Sequence, residues 1–253
     1  MGSSQPTVSA DDIAGLLRWF RRLPRGAQIA LAAACGMAII IIITAVAILP
    51  RIQAPAEDPA CSVDAGAPPV AALACLPVRA PGTMNGYSRD RFGQPWTDTI
   101  TGVEFAGNGC DTRNDMLAAR MTGVRRDADG CTMLSGTLAD PYTGKTIRFT
   151  RGKNTSAAVQ IDHIVALADA WRSGAAERPL DELKRIANDP LNLEPVEGRA
   201  NSSKSDSAAD SWLPPSAAYH CTYATRQVQV KNKYRLSVTD AEADALRRIL
   251  SRC

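Results

Sequence analysis

The pattern of apolar and polar positions divides the chain near its start. From Ala27 to Leu49 the sequence reads AQIALAAACGMAIIIIITAVAIL, with no charged residue. At about 1.5 Å of rise per residue, that run is long enough to cross a hydrocarbon core of about 30 Å. A transmembrane helix is predicted over 27–49. Ahead of it lies a tail, residues 1–26, in which Ile13, Leu16, Leu17 and Phe20 follow helical spacing beside Arg18, Arg21 and Arg22. This is the pattern of a short amphipathic turn resting on anionic lipid. Arg18, Arg21, Arg22 and Arg25 precede the span while only Arg51 follows closely. The bias puts the N-terminus in the cytoplasm and the rest of the chain outside. Ala45-Val46-Ala47 and Ala54-Pro55-Ala56 resemble cleavage sites, so a removed signal peptide, and a secreted domain, is the competing reading. The apolar run exceeds the usual signal-peptide length of about 7 to 15 residues, which favours the anchor.

Residues 50–85 are rich in Ala and Pro, with Pro50, Pro55, Pro59, Pro68, Pro69, Pro77 and Pro81 interrupting any long element. They read as a linker that holds a folded domain, 86–253, away from the bilayer. Within the domain, good N-cap residues and helical spacing predict a helix over 112–121. The stretches 131–138 and 145–151 flank Asp140-Pro141-Tyr142-Thr143-Gly144 and predict a hairpin. A short strand over 159–161 runs into Asp162-His163. Helices follow over 165–173 and 180–187, then an extended segment over 191–196 after Asp189-Pro190, then a helix from Gly198. Two more helices close the chain, over 217–234 and from the capping box Thr239-Asp240-Ala241-Glu242, the last burying Ala245, Leu246, Ile249 and Leu250. The fold class is α+β.

Composition sharpens the compartment and weakens one class of function. Cys35 lies in the apolar run, leaving Cys61, Cys75, Cys110, Cys131, Cys221 and Cys253, an even number suited to an oxidising compartment. Six cysteines allow 15 pairings. Chain order and local hairpins favour Cys61 with Cys75, Cys110 with Cys131 and Cys221 with Cys253, the alternative being that some stay reduced. Beyond residue 50 the balance is 25 basic against 24 acidic residues, too neutral for a protein that permanently coats DNA. Contact with nucleic acid would be local, transient or aided by a metal.

The chain holds two histidines, His163 and His220. His220, beside Tyr219 and Cys221 on a helix, reads as structural. His163 follows an acid at a strand end and precedes an asparagine on an extended segment, Asn192, and another on a helix, Asn201. Phosphodiester hydrolysis needs a base for water, a cation to offset developing charge, and a group that fixes the tautomer of the base. His163 could take the proton, and Asn192, through its side-chain carbonyl, could hold the other imidazole nitrogen. Asp162 and Asn201 offer hard oxygen ligands suited to Mg²⁺ or Mn²⁺.

Asp162-His163, then Asn192, then Asn201 nine positions later, resembles the strand-strand-helix metal motif of HNH endonucleases. Around it stand Cys110-Asp111-Thr112-Arg113-Asn114-Asp115, Asp140-Pro141-Tyr142-Thr143-Gly144, Ile161-Asp162-His163-Ile164-Val165, Asn188-Asp189-Pro190-Leu191-Asn192-Leu193 and Asn201 to Lys204. This longer pattern is similar to an exported branch related to the GmrSD C-terminal nuclease domain. The resemblance implies a ββα-metal core with added helices and a hairpin. It also implies His163 as general base, Asn192 as its orienting residue, and Asp162 and Asn201 as ligands of a divalent metal, Mg²⁺ with Mn²⁺ as the alternative. Lys204 would contact phosphate. Asn201 stands where many members carry a histidine, which disfavours Zn²⁺.

Each assignment has a plainer rival. His163 could be a structural histidine satisfied by Asp162, Lys204 a solvated lysine, and Arg113, in a first helical turn, either an anion clamp or a bridge to a carboxylate. The expected function is metal-dependent cleavage of nucleic acid, DNA ahead of RNA, with little sequence specificity. The alternative is an envelope protein that uses the same fold to bind nucleic acid or a surface partner without catalysis.

Overall fold

The computed structural model describes residues 23–27 and 68–253. The chain divides into two units, 1–58 and 59–253. Residues 28–49 of the expected span, residues 1–22 of the tail and residues 50–67 of the expected linker lie outside the described residues. Among the described residues, no helix is long and apolar enough to cross a membrane.

The folded unit begins before Gly86. Helix α1, Pro69–Ala74, starts with proline at its first turn, where a missing N–H costs nothing, and buries Ala72 and Leu73. Those side chains join Leu76, Tyr223, Val228 and Leu246 in one apolar cluster. Arg79 N donates to Val238 O and Val238 N donates to Pro77 O. Part of the expected spacer over 50–85 is therefore core, because its alanines and leucines find an apolar face to cover.

Helix α2, Thr112–Arg120, is capped by Asp111, whose carboxylate accepts from Asn114 N. It passes directly into β1, Met121–Arg126, a strand the sequence pattern did not suggest. Strands β2, Met133–Ala139, and β3, Thr146–Thr150, form the expected hairpin and complete an antiparallel sheet in the order β1-β2-β3. Strand β4, Val159–His163, leads to α3, Leu167–Arg172, and α4, Leu180–Asn188. Strand β5, Leu193–Glu197, then returns antiparallel to β4, opposing Asp162 to Glu194 and His163 to Leu193. Helix α5, Gly198–Lys204, follows without a loop. Helices α6, His220–Lys233, and α7, Asp240–Leu250, close the unit. The Thr239 hydroxyl caps α7 by accepting from Glu242 N.

The junction from β5 to α5 is tight. A Cβ placed on Gly198 would lie 2.1 Å from Ala157 O, so only glycine lets the chain turn into the helix there. The Asp140 carboxylate of the hairpin turn accepts from Glu197 N, tying the three-stranded sheet to the start of α5. Disulfides join Cys110 to Cys131 and Cys221 to Cys253. Cys75 is also disulfide-bonded, while Cys61 lies outside the described residues.

Candidate active site

Asp162, His163 and Asn201 line one cleft of about 250 Å³, together with Tyr87, Arg89, Ser205 and Asp206. Consecutive residues of a strand point to opposite faces, so Asp162 and His163 can share the cleft because His163 ends β4. Asp162 turns towards the interior, while His163, last in the strand, stands where the backbone begins to leave the sheet. Asn201 comes from the exposed side of α5, whose tight junction with β5 sets it beside β4. Its amide donates to Gln160 Oε1 at 2.8 Å, which leaves its carbonyl oxygen free to act as an acceptor.

The His163 imidazole is held by two neighbours. Its Nε2 lies 3.0 Å from Ala187 O. A carbonyl only accepts, so Nε2 carries the proton and Nδ1 is the basic nitrogen. The Trp96 ring stacks on the imidazole with centroids 5.8 Å apart and planes 13° apart. Trp96 itself has a backbone φ of +57°, a conformation costly for a tryptophan and upheld by its surroundings. Trp96 O, for example, accepts from Thr112 N at the start of α2. Burial holds the His163 pKa down at about 3, so the imidazole is neutral near pH 7, the form that can accept a proton. A second, smaller hollow of about 50 Å³ also borders His163, lined by Phe92, Pro95, Trp96 and Arg89 among others.

Asn192 plays a different part from the one expected. Its side chain is fully buried, and its carbonyl accepts from Val165 N at 2.8 Å. Its amide donates to Val165 O and to Ile186 O. It therefore bonds backbone rather than the imidazole. The effect on His163 is indirect, because the clasp fixes the segment after His163 against the end of α4, where Ala187 O receives the imidazole proton.

Lys204 is also corrected. It is neither solvated nor turned outward towards a phosphate. Its side chain is 0% exposed, and its ammonium donates to Asp162 Oδ1 at 2.9 Å and to His163 O at 2.6 Å. An ammonium on a four-carbon stem reaches back from the last turn of α5 because the buried Asp162 carboxylate needs a counter-charge. The second Asp162 oxygen accepts from Tyr142 Oη at 2.5 Å. Burial nevertheless outweighs the lysine and raises the Asp162 pKa above the usual carboxylate value.

Arg113 lies away from the cleft. Its guanidinium donates to Val159 O at 3.1 Å, pinning the start of β4. Burial, with Arg151 nearby, lowers its pKa. Arg226 holds the other strand, donating to Pro190 O, Leu191 O and Leu193 O and pairing with Glu194.

Several residues of the site carried no clear sequence signal. Tyr142 lay inside a turn motif that announces only a hairpin. Trp96 is one of four tryptophans and looked like core. Arg89 and the carbonyl of Ala187 offered nothing to distinguish them.

Among the described residues no group of three or more His, Cys, Asp or Glu side chains is placed to hold a metal. The lining does include two residues that carry oxygen donors, Asp162 and Asn201. A carboxylate oxygen has two acceptor sites, so the bonds from Lys204 and Tyr142 leave acceptor capacity on Asp162. Oxygen donors of this type suit a hard divalent cation that keeps most of its water.

Comparison with known proteins shows the family of the chain. No solved structure matches the chain. An uncharacterized secreted protein of Arthroderma benhamiae is 39% identical over 183 residues, covering 72% of this chain and 82% of that protein. The family model for the C-terminal domain of GmrSD restriction endonucleases matches residues 111–249, which include β4, β5 and α5. The chain belongs to the GmrSD restriction endonuclease C-terminal domain family.

Proposed function

We propose that the protein is an HNH-type nuclease that hydrolyses phosphodiester bonds of nucleic acid with the help of a divalent metal, and that DNA is its preferred substrate. The observation that carries this reading is the neutral His163, its tautomer fixed by Ala187 O, set in one cleft with Asp162 and Asn201. The antiparallel β4–β5 pair running into α5 has the order of a ββα-metal unit.

In this reading His163 Nδ1 removes a proton from the attacking water as the new P–O bond forms and the bond to the leaving oxygen breaks. An anionic phosphate against the imidazole raises the affinity of Nδ1 for that proton, offsetting the effect of burial. Asp162 and Asn201 would hold Mg²⁺, or Mn²⁺, which offsets charge at the phosphoryl and leaving oxygens. Asn192, Trp96 and Ala187 O act on the orientation of the base, and Lys204 and Tyr142 on that of the carboxylate. With 25 basic against 24 acidic residues beyond residue 50, cleavage should depend little on base sequence.

The same reading places the domain outside the cytoplasm. The disulfides Cys110–Cys131 and Cys221–Cys253 suit an oxidising compartment. The apolar run over 27–49 would tether it to the membrane. The test of function is cleavage of plasmid DNA and of RNA, with added Mg²⁺ or Mn²⁺ and with chelator, by the wild-type chain and by His163→Ala. The test of location is protease accessibility of the domain on intact cells, with detergent extraction to detect the anchor.

A further inference from the structure

The family match begins at residue 111, yet the cleft around His163 is not built from that segment alone. Residues 87–96, ahead of it, supply Tyr87 and Arg89 to the larger cleft, and Arg89 and Trp96 to the smaller hollow. Arg89 thus borders both spaces that flank the imidazole. It opens a single 3-10 turn, Arg89–Phe92, in which Arg91 and Phe92 are anchored. Phe92 is buried and packs beside Trp171, over whose ring the Arg91 guanidinium lies at 5.7 Å. Gly93, at a φ of +83°, leaves room for the stem of Lys184. The turn is therefore held firmly while its first side chain stays exposed.

The charges around the larger cleft single out that side chain. Asp162 is matched by Lys204 at 2.9 Å, and Asp206 by Arg172 at 2.7 Å. Arg89 is the one cation lining this cleft among the described residues, and no carboxylate or carbonyl among them holds its guanidinium. Asp90, its neighbour, faces only the smaller hollow. A cleft whose acids are already matched, with an exposed planar cation at its edge beside His163, suits an anion whose oxygens a guanidinium can take in pairs.

We propose that Arg89 binds a phosphate of the nucleic-acid strand and sets it against His163, so that the segment upstream of the family domain completes the substrate site. This rests on the nuclease reading. Arg89 acts on binding rather than on proton transfer, and a lysine at this position keeps the charge but loses the paired geometry.

The test uses the full chain with disulfides intact. Binding of a fluorescein-labelled 20-mer, single- and double-stranded, is followed by anisotropy in the His163→Ala background, so that cleavage does not interfere. Adding Arg89→Ala should raise Kd roughly tenfold or more, with Arg89→Lys between the two. The slope of log K against log salt should become shallower by about one unit. In the cleaving protein Arg89→Ala should raise KM more than it lowers kcat, with thermal unfolding unchanged. Binding and salt slope that Arg89→Ala leaves within twofold, or no measurable binding by the His163→Ala protein, overturns the proposal. Cleavage by wild type is scored separately and decides the nuclease reading. A protein that cleaves normally without Arg89 would sink only this inference.

Discussion

Replacing Lys204 by methionine removes the counter-charge of a buried carboxylate while keeping most of the apolar stem. The pair is 2.9 Å apart, with Lys204 0% and Asp162 5% exposed at the side chain. At an effective dielectric of about 20, that separation corresponds to about 6 kcal/mol of attraction, much of it offset by the desolvation of both ions. Losing one partner strands the other, so Lys204→Met should destabilise the domain by about 3 to 5 kcal/mol at pH 7.5. Urea unfolding followed by tryptophan fluorescence measures it. Asp162→Asn with Lys204→Met should cost clearly less than the sum of the two single changes, with a coupling of about 2 kcal/mol or more. The Lys204→Met deficit should also shrink as the pH falls, because burial already favours the protonated Asp162 and the proton then replaces the lysine. A loss under about 1 kcal/mol, or single effects that add to within about 0.5 kcal/mol, would refute the buried-pair argument. If the single variant does not accumulate, a folded double variant carries the same conclusion.

Three further outcomes are expected. His163 titrates at about 3 in the folded chain against 6.5 for a free imidazole, so folding loses stability as pH falls below about 6.5. Wild type should therefore lose about 1.4 kcal/mol per pH unit relative to His163→Phe between about pH 6 and 4. The comparison with the variant is needed because Glu242, raised to about 7 by burial, runs the other way and loses stability as pH rises from its unfolded value of 4.5 through 7. A pH-independent difference would show that the imidazole is not held neutral. Gly198→Ala should cost about 1 to 3 kcal/mol, since its Cβ would meet Ala157 O, and a melting temperature equal to wild type would contradict the tight junction. Trp96→Ala should lower kcat roughly ten- to hundredfold by freeing the base, with Trp96→Phe retaining most of the rate. Equal kcat for Trp96→Ala and wild type would remove Trp96 from the site.

Local signals carried well into the structure where they rest on chemistry that neighbours cannot override. The hairpin around Asp140–Gly144 formed because the Asp140 side chain bonds its own turn at Tyr142 N and Thr143 N. The Thr239 cap formed for the same reason. Asp162, His163 and Asn201, singled out by residue order and spacing, line one cleft. What the sequence hid was direction. Asn192 and Lys204 were recognised, but nothing local shows that Asn192 turns to the backbone of Val165 and Ile186, or that Lys204 turns inward to Asp162. Both choices are made by burial, which is a property of the assembled fold. Strand β1 was hidden because Met121–Arg126 is exposed along nearly its whole length and so lacks alternation. Helix α1 was hidden by its prolines, which resemble those of a spacer. Trp96 reaches His163 from 67 positions away in the chain through a backbone conformation that no pattern announces.

The central claim is that His163 is the base of a metal-assisted phosphodiester hydrolysis. The most direct measurement is the conversion of supercoiled plasmid to nicked and linear forms by the purified, oxidised chain in Mg²⁺, in Mn²⁺ and in EDTA, beside a folded His163→Ala protein, with RNA in parallel. The account predicts cleavage that requires the metal and falls at least about a hundredfold in His163→Ala. Cleavage that survives EDTA, or equal activity in the two proteins, would contradict it.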